Sequence, residues 1–302
     1  MKCRFCDNEL TQEFTDFASS PPSNSLLTKE QLNEPEIFYP LKSYVCEKCW
    51  LFQVDEYKKS SEIFDKDYAY FSSYSTSWLK HSENYVNMIS DKLELNKDSL
   101  VIEIASNDGY LLQYFLPKGI PCIGIEPTAS TAKAAEKKGI NTIEDFFSVK
   151  LAEKLVAEGA KADLILGNNV LTHVPDINDF VKGLRIALKP EGSITMEFPH
   201  LLNLIKFNQF DTIYHEHFSY LSLLTVAKIF KSHSLVIYDV EELPTHGGSL
   251  RIYAKHKNNT EIKITSNVAK LLEQEREFGL NNLEVYQSFQ EKTDKIKLII
   301  NK

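Results

Sequence analysis

The sequence predicts an α/β chain built on a parallel sheet covered on both faces by helices, with a small four-cysteine module in front of it and a helical segment behind. Three observations predict this. From about residue 98 to 256 short β-rich runs alternate with helix-period stretches; four of the five cysteines stand in two C-x-x-C pairs, Cys3/Cys6 and Cys46/Cys49; and residues 257 to 302 contain no proline. Parallel neighbours need a crossover long enough to hold a helix, so strand and helix alternate along the chain. Paired C-x-x-C knuckles supply four soft thiolates for a tetrahedral Zn²⁺.

Residues 1–55 form the zinc module. One knuckle is Cys3-Arg4-Phe5-Cys6, and the other, Cys46-Glu47-Lys48-Cys49, follows an alternating strand-like run. Between them Ser19-Ser20-Pro21-Pro22-Ser23-Asn24-Ser25 is too polar and proline-rich for a helix or a central strand and reads as an ordered loop. All four ligand positions would be filled by protein, which marks a structural zinc site; two structural disulfides are the competing reading. Residues 56–97 are a helical and aromatic connector. Its Tyr68-Ala69-Tyr70-Phe71-Ser72-Ser73-Tyr74 has no period and suits the lining of a pocket, whereas Ser77 to Lys92 carries Trp78, Tyr85, Met88 and Ile89 at helical spacing.

Within residues 98–256 strands are expected at 100–104, 121–126, 162–166, 193–198, 235–239 and 249–254, and helices from Tyr110 to Phe115, from Ser130 to Lys138, at 177–188 and at 222–232. Ligands then bind at the carboxyl ends of the strands, so the loops after them are where chemistry is sought. Residues 257–302 read as one or two helices that end on the apolar run Ile296, Leu298, Ile299, Ile300. An apolar end of that kind suggests that something follows it or packs on it.

Composition narrows the function. A formal charge of −8 argues against general affinity for nucleic acid or anionic lipid and favours small-molecule work. No apolar run is long enough to cross a bilayer and no signal-peptide pattern follows Met1, so a soluble, cytoplasmic protein is expected. Cys122, the fifth cysteine, stands alone.

The loop Glu103-Ile104-Ala105-Ser106-Asn107-Asp108-Gly109-Tyr110 resembles the first loop of Rossmann-like class I S-adenosylmethionine-dependent methyltransferases. A dinucleotide site would want G-x-G-x-x-G here, to bring backbone close to a pyrophosphate. One glycine and two acids stand here instead, which suits a ligand with an amino group and a sulfonium centre. The resemblance implies that Glu103, Ser106, Asn107, Asp108 and Gly109 hold the methyl donor, that Glu126 takes the ribose hydroxyls, that Asp145 and Phe146 read the adenine, and that Asn168 and Asn169 close the site. Each acid taken alone reads equally as a solvated loop charge.

Tyr214-His215-Glu216-His217 puts two histidines, a tyrosine and a glutamate in four consecutive residues, and such groups are costly to bury without partners. A metal reading finds no third ligand in it, and its spacing is not H-E-x-x-H. Together with the cysteine module, the donor loop and His246-Gly247-Gly248-Ser249-Leu250-Arg251, this run is similar to the sugar C-methyltransferases of deoxysugar biosynthesis, which act on a nucleotide-linked keto-sugar. The resemblance implies His217 as the base that deprotonates the carbon next to the ketone, Glu216 and Tyr214 as its partners, His173 as a donor to the enolate oxygen, Tyr70 as a substrate contact from the connector, and His246 and Arg251 as substrate-binding groups, the arginine toward a phosphate. His81, His215, His233 and His256 read as structural.

Members of that family continue into a third, nucleotide-holding domain with a glycine-rich loop, which has no counterpart here after Ser249. A partner chain or a further domain is therefore expected to complete nucleotide recognition. Two other readings stay open: a non-catalytic assembly subunit that binds the donor, and an O- or N-methyltransferase of the same fold.

Overall fold

A computed structural model describes residues 1–64 and 70–300; Tyr68 of the tyrosine segment lies outside the described residues. Strands β1 (Gln12–Ser20), β2 (Tyr39–Val45) and β3 (Phe52–Val54) lead into a short helix α1 (Ser60–Ile63) and the long connector helix α2 (Thr76–Lys92). Then come β4 (Val101–Ile104), β5 (Cys122–Ile125), α3 (Ala129–Lys137), β6 (Asn141–Ile143), α4 (Val149–Ala157), β7 (Ala162–Asn168), α5 (Ile177–Ala187) and β8 (Leu188–Pro199). The remainder is α6 (Leu201–Phe207), β9 (Ser219–Tyr220), α7 (Leu223–Ser232), β10 (Leu235–Leu243), β11 (Ser249–His256) and the helices α8 (Ser266–Phe278), α9 (Leu283–Gln287) and α10 (Phe289–Ile300).

Seven strands form the main sheet in the order β10-β11-β8-β7-β4-β5-β6. The five from β8 to β6 are parallel, as the alternation predicts, but β11 runs antiparallel to both β8 and β10. The wholly parallel sheet expected from sequence is thus corrected to a mixed one. Residues 244–248 form a tight turn with no room for a crossover helix, so the strands it joins must be antiparallel. The helix expected from Tyr110 to Phe115 is also corrected: two 3₁₀ turns, Leu112–Tyr114 and Leu116–Lys118, stand there. In a continuous α-helix the Pro117 ring would clash one turn back, and the chain leaves the turn through Gly119 at φ 67°. The C-terminal segment holds three helices rather than one or two.

The second sheet has the order β1-β2-β3-β9, antiparallel throughout, so its fourth strand comes from the far side of the chain. Phe14 on β1 stacks on Phe289 at 4.5 Å between ring centroids and meets the edge of Tyr286 at 5.9 Å. The C-terminal helices and the cysteine module therefore share one apolar core. Helix α2 packs Tyr85, Val86 and Ile89 against Val101 and Leu111, as its helical spacing anticipates.

Candidate active site

The four cysteines converge. Their Sγ atoms all lie within 4.8 Å of one another, with Cys3 and Cys49 3.5 Å apart and Cys6 and Cys46 3.6 Å apart. These are free thiols, not disulfides, and tetrahedral Zn–S bonds of about 2.3 Å would put the sulfurs about 3.8 Å apart, so the cluster fits the ion. Both knuckles close alike: Asp7 N–H donates to the Cys3 carbonyl and Trp50 N–H to that of Cys46, with Asp7 at φ 56° and Trp50 at φ 68°. Left-handed backbone at a tryptophan costs about 1–2 kcal/mol, and its ring is seated against Tyr286.

A cavity of about 500 Å³ opens at the carboxyl ends of β4, β5 and β7, roofed by the connector. Asn107, Glu126, Asp145, Phe146, Asn168 and Asn169 line it, together with Tyr70 and His173. The loop after β4 is wound tightly, with Ala105, Asn107 and Gly109 all at positive φ. At Gly109 a Cβ would come within 2.2 Å of Ile140 Cδ1 and 3.2 Å of Ala135 Cβ on α3, so glycine is favoured by this packing as well as by the turn. Glu126 clips the loop: its carboxylate accepts from Asn107 N–H at 2.9 Å and from Thr128 N–H and Thr131 Oγ1 at 3.0 Å each.

Several assignments change. Glu103, Ser106, Asp108 and Gly109 sit behind the cavity wall. Burial pushes the Glu103 carboxyl well above its usual range, and Asp108 pairs with Lys138 at 3.3 Å. The Asn107 side chain is committed to the connector, accepting from Ser72 N–H at 2.9 Å and donating to the Tyr70 carbonyl at 3.1 Å, so it joins the donor loop to the tyrosine segment instead of facing a ligand. Arg251 is buried, bonded to Glu197 at 2.7 Å and lying over the Tyr85 ring, and does not face a phosphate. At this depth the adjacent carboxylate offsets the cost of desolvating the guanidinium.

The histidine cluster assembles. His217 and His173 have ring centroids 4.7 Å apart. His217 Nδ1 faces the Thr212 carbonyl at 3.1 Å and His173 Nδ1 faces the Glu216 carbonyl at 2.8 Å, so each carries its proton on Nδ1 and leaves Nε2 as an acceptor. The Tyr214 hydroxyl donates to His217 Nε2 at 2.8 Å. Burial holds His217 well below the usual imidazole range, with His173 adding to it, and brings His173 down to about 4. A neutral His173 with its N–H engaged cannot donate to an enolate oxygen, which corrects the role expected for it. Glu216 does not orient the His217 ring: its carboxylate accepts from Asn24 Nδ2 at 2.8 and 2.9 Å, and the Thr212 carbonyl takes that place. His246 Nε2 meets Asn169 Nδ2 at 3.3 Å at the cavity's rim. The four histidines read as structural have partners: His81 on Glu197, His215 on the Pro40 carbonyl, His233 on Asn178 and His256 on the Leu188 carbonyl.

Sequence reasoning missed Asn24 and Thr212. No spacing links residue 24 to residue 216, and a main-chain carbonyl has no signature in sequence.

A model of a zinc binding domain matches residues 3–64, a methyltransferase domain residues 81–240, and a C-methyltransferase C-terminal domain residues 244–301. C-methyltransferase NovU of Streptomyces niveus is 31% identical over 296 residues, spanning 98% of this chain and 70% of that protein. The chain belongs to the S-adenosylmethionine-dependent C-methyltransferases. The ubiquinone biosynthesis O-methyltransferase of Bartonella tribocorum is 27% identical over 110 residues, which is 33% of this C-methyltransferase and 44% of that enzyme. In fold, the enzyme is similar to the PH0226 protein from Pyrococcus horikoshii OT3, at a TM-score of 0.51 and 16% identity over 62% of this chain and 95% of that one. Among the described residues no helix is long and apolar enough to cross a membrane.

Proposed function

We propose that the enzyme methylates a carbon next to the ketone of a nucleotide-linked keto-deoxysugar, with His217 as base. The observation that carries this reading is the His217 imidazole, neutral, buried and pinned at Nδ1 by the Thr212 carbonyl so that Nε2 is the proton acceptor. A carbon acid beside a ketone needs such a base together with a hydrogen-bond donor at the ketone oxygen. Tyr214 supplies the donor: burial raises its pKa, it keeps its proton, and its hydroxyl stands 2.8 Å from Nε2, near enough to turn to the oxygen as the carbon approaches the nitrogen. His173 accepts from a sugar hydroxyl through Nε2, and Tyr70 and His246 flank the sugar.

The donor half of the cavity suits S-adenosylmethionine. Glu126 faces the ribose, Asp145 and Phe146 the adenine, and Asn168 Nδ2 and Asn169 Oδ1, buried without a protein partner, await the amino-acid end. When bound, the donor supplies an electrophilic methyl group on a sulfonium sulfur, which the deprotonated carbon takes. Zinc, held by Cys3, Cys6, Cys46 and Cys49, is structural, since the four thiolates leave no position for substrate.

The test is incubation with S-adenosylmethionine and a panel of nucleotide-linked keto-deoxysugars in deuterated water. A branched-carbon methyl, S-adenosylhomocysteine and deuterium next to the ketone are expected, and His217→Ala should lower both exchange and transfer by about 10²–10⁴-fold. Exchange that persists in His217→Ala removes the base assignment. A methyl ether as product makes the enzyme an O-methyltransferase on this substrate, and donor binding with no turnover makes it an assembly subunit that needs a partner chain.

A further inference from the structure

Each imidazole of the histidine pair is fixed by a main-chain carbonyl, and the chain just beyond each is held by one side chain. Arg4 lies between the zinc ligands Cys3 and Cys6, and its head leaves the knuckle. Nη1 donates to the Pro175 carbonyl at 2.9 Å, Nη2 donates to the Val54 carbonyl at 2.7 Å, and the guanidinium carbon lies 5.3 Å from the centre of the Phe218 ring. Pro175 comes two residues after His173, and Phe218 directly follows His217. Val54 N–H in turn donates to the Phe218 carbonyl at 3.1 Å. One planar cation therefore touches the backbone beyond one histidine, the ring beyond the other, and the strand β3 that is bonded to the second of them.

The near end of Arg4 is set by the metal knuckle. Its N–H donates to Gln53 Oε1 at 3.0 Å, and Gln53 Nε2 donates to Cys3 Sγ at 3.4 Å. The knuckle itself does not need the guanidinium, because its turn is closed by Asp7 N–H on the Cys3 carbonyl. Desolvating a guanidinium is costly unless carbonyls and a ring face replace the water, and here one carbonyl and the ring come from the segments that follow the two histidines and the other carbonyl from β3. A forked, planar cation can span two carbonyls, whereas a lysine ammonium is a single point charge.

We propose that Arg4 is a positioning residue, a bracket through which the zinc knuckle sets the separation and tautomers of His173 and His217. This rests on the reading of those two histidines as the acceptor-side pair. The zinc site would then act on chemistry that its own ligands never touch.

The test uses the zinc-loaded full chain with ¹⁵N-labelled histidine, at one neutral pH. In the parent, His173 and His217 should both show the Nδ1–H tautomer. Arg4→Ala should keep about one zinc per chain and leave the resonances of His256, on the Leu188 carbonyl, in place, while those of His173 and His217 move toward mixed tautomers. On an accepted keto-sugar, kcat should fall about tenfold or more, as expected for a reacting group displaced by part of an ångström, with the dissociation constant for S-adenosylhomocysteine unchanged. Arg4→Lys should fall between the two. Unmoved His173 and His217 resonances in zinc-loaded Arg4→Ala overturn the proposal. So does zinc loss in both variants, which would make Arg4 a folding residue. If the resonances move as expected but the parent never exchanges a proton on any keto-sugar, the acceptor reading fails and the bracket stands.

Discussion

On the donor side of the cavity Asn168 and Asn169, which line it, each keep a buried polar atom without a partner among the described residues, whereas on the acceptor side Nδ1 of both His173 and His217 is bonded to a main-chain carbonyl and the Glu216 carboxylate to Asn24. An unbonded buried polar atom destabilises the empty protein by about 1–3 kcal/mol, and that free energy is recovered when a ligand supplies the bond. The donor half is thus arranged for affinity. The acceptor half is arranged for orientation: His217 and His173 have their tautomers chosen before any substrate arrives. Left-handed backbone occurs on both sides, at Ala105, Asn107 and Asn169 around the donor and at His246 beside the acceptor.

Removing zinc tests that division most severely. Structural zinc contributes roughly 10–16 kcal/mol to folding in small modules, so chelation should unfold β1–β3 and with them the register of β9 and the His217 loop. Hydrogen exchange should rise across residues 1–55 and 210–220, while S-adenosylhomocysteine, measured by calorimetry, should still bind within about tenfold of its original affinity. Equal loss of donor binding would erase the distinction between the two halves.

Acid tests the locked imidazoles. His217 is held below its unfolded value and His173 is brought to about 4, so between about pH 6.5 and 4 the unfolded chain binds more protons than the folded one. Stability should therefore rise with pH through that window and be lost as pH falls, by at most about 3 kcal/mol for His173 alone. Urea titrations at pH 7, 6 and 5 measure this. The acid limb of kcat/KM should lie below the ordinary imidazole value, and a limb at about 6.5 would mean that the base is solvated and the acceptor half is not preset.

The smallest effect is expected from Asn24→Ala. Glu216 loses the amide that holds both its oxygens, at a cost of about 1–3 kcal/mol for a bond to a charged group. The Michaelis constant for the sugar should rise about threefold to tenfold with donor affinity unchanged. A change in donor affinity instead would show that the loop at residue 24 serves both halves.

What could be read from the sequence divides along similar lines. The cysteine knuckles, the donor loop and the His217 run are local patterns; the four cysteines do gather, whereas Glu103, Ser106, Asp108 and Gly109 of the donor loop lie behind the cavity wall. The parallel part of the sheet was equally plain, because β-rich runs and helical spacing are local too. Arg251 shows the limit: a glycine turn followed by arginine looks like a ligand contact, and only the fold reveals Glu197 lying directly across from it in the neighbouring strand. For Glu216 the ring-orienting role met the same limit, since its carboxylate is held by Asn24 on a loop nearly two hundred positions earlier. The tight turn at Pro117 could have been foreseen from the proline, while the antiparallel hairpin at 244–248 depends on which edge of the sheet is free.

Pairing of β3 with β9, Gln53 opposite Ser219, places the last strand of the cysteine sheet far downstream in the chain. During synthesis the cysteines emerge first, yet the edge of β3 stays open until residue 219 leaves the ribosome, a wait on the order of ten seconds at ordinary elongation rates. Throughout that interval the knuckles are accessible to oxidants and β3 is free to pair with other chains. Capture of the metal before β9 emerges would shield the thiols throughout that wait.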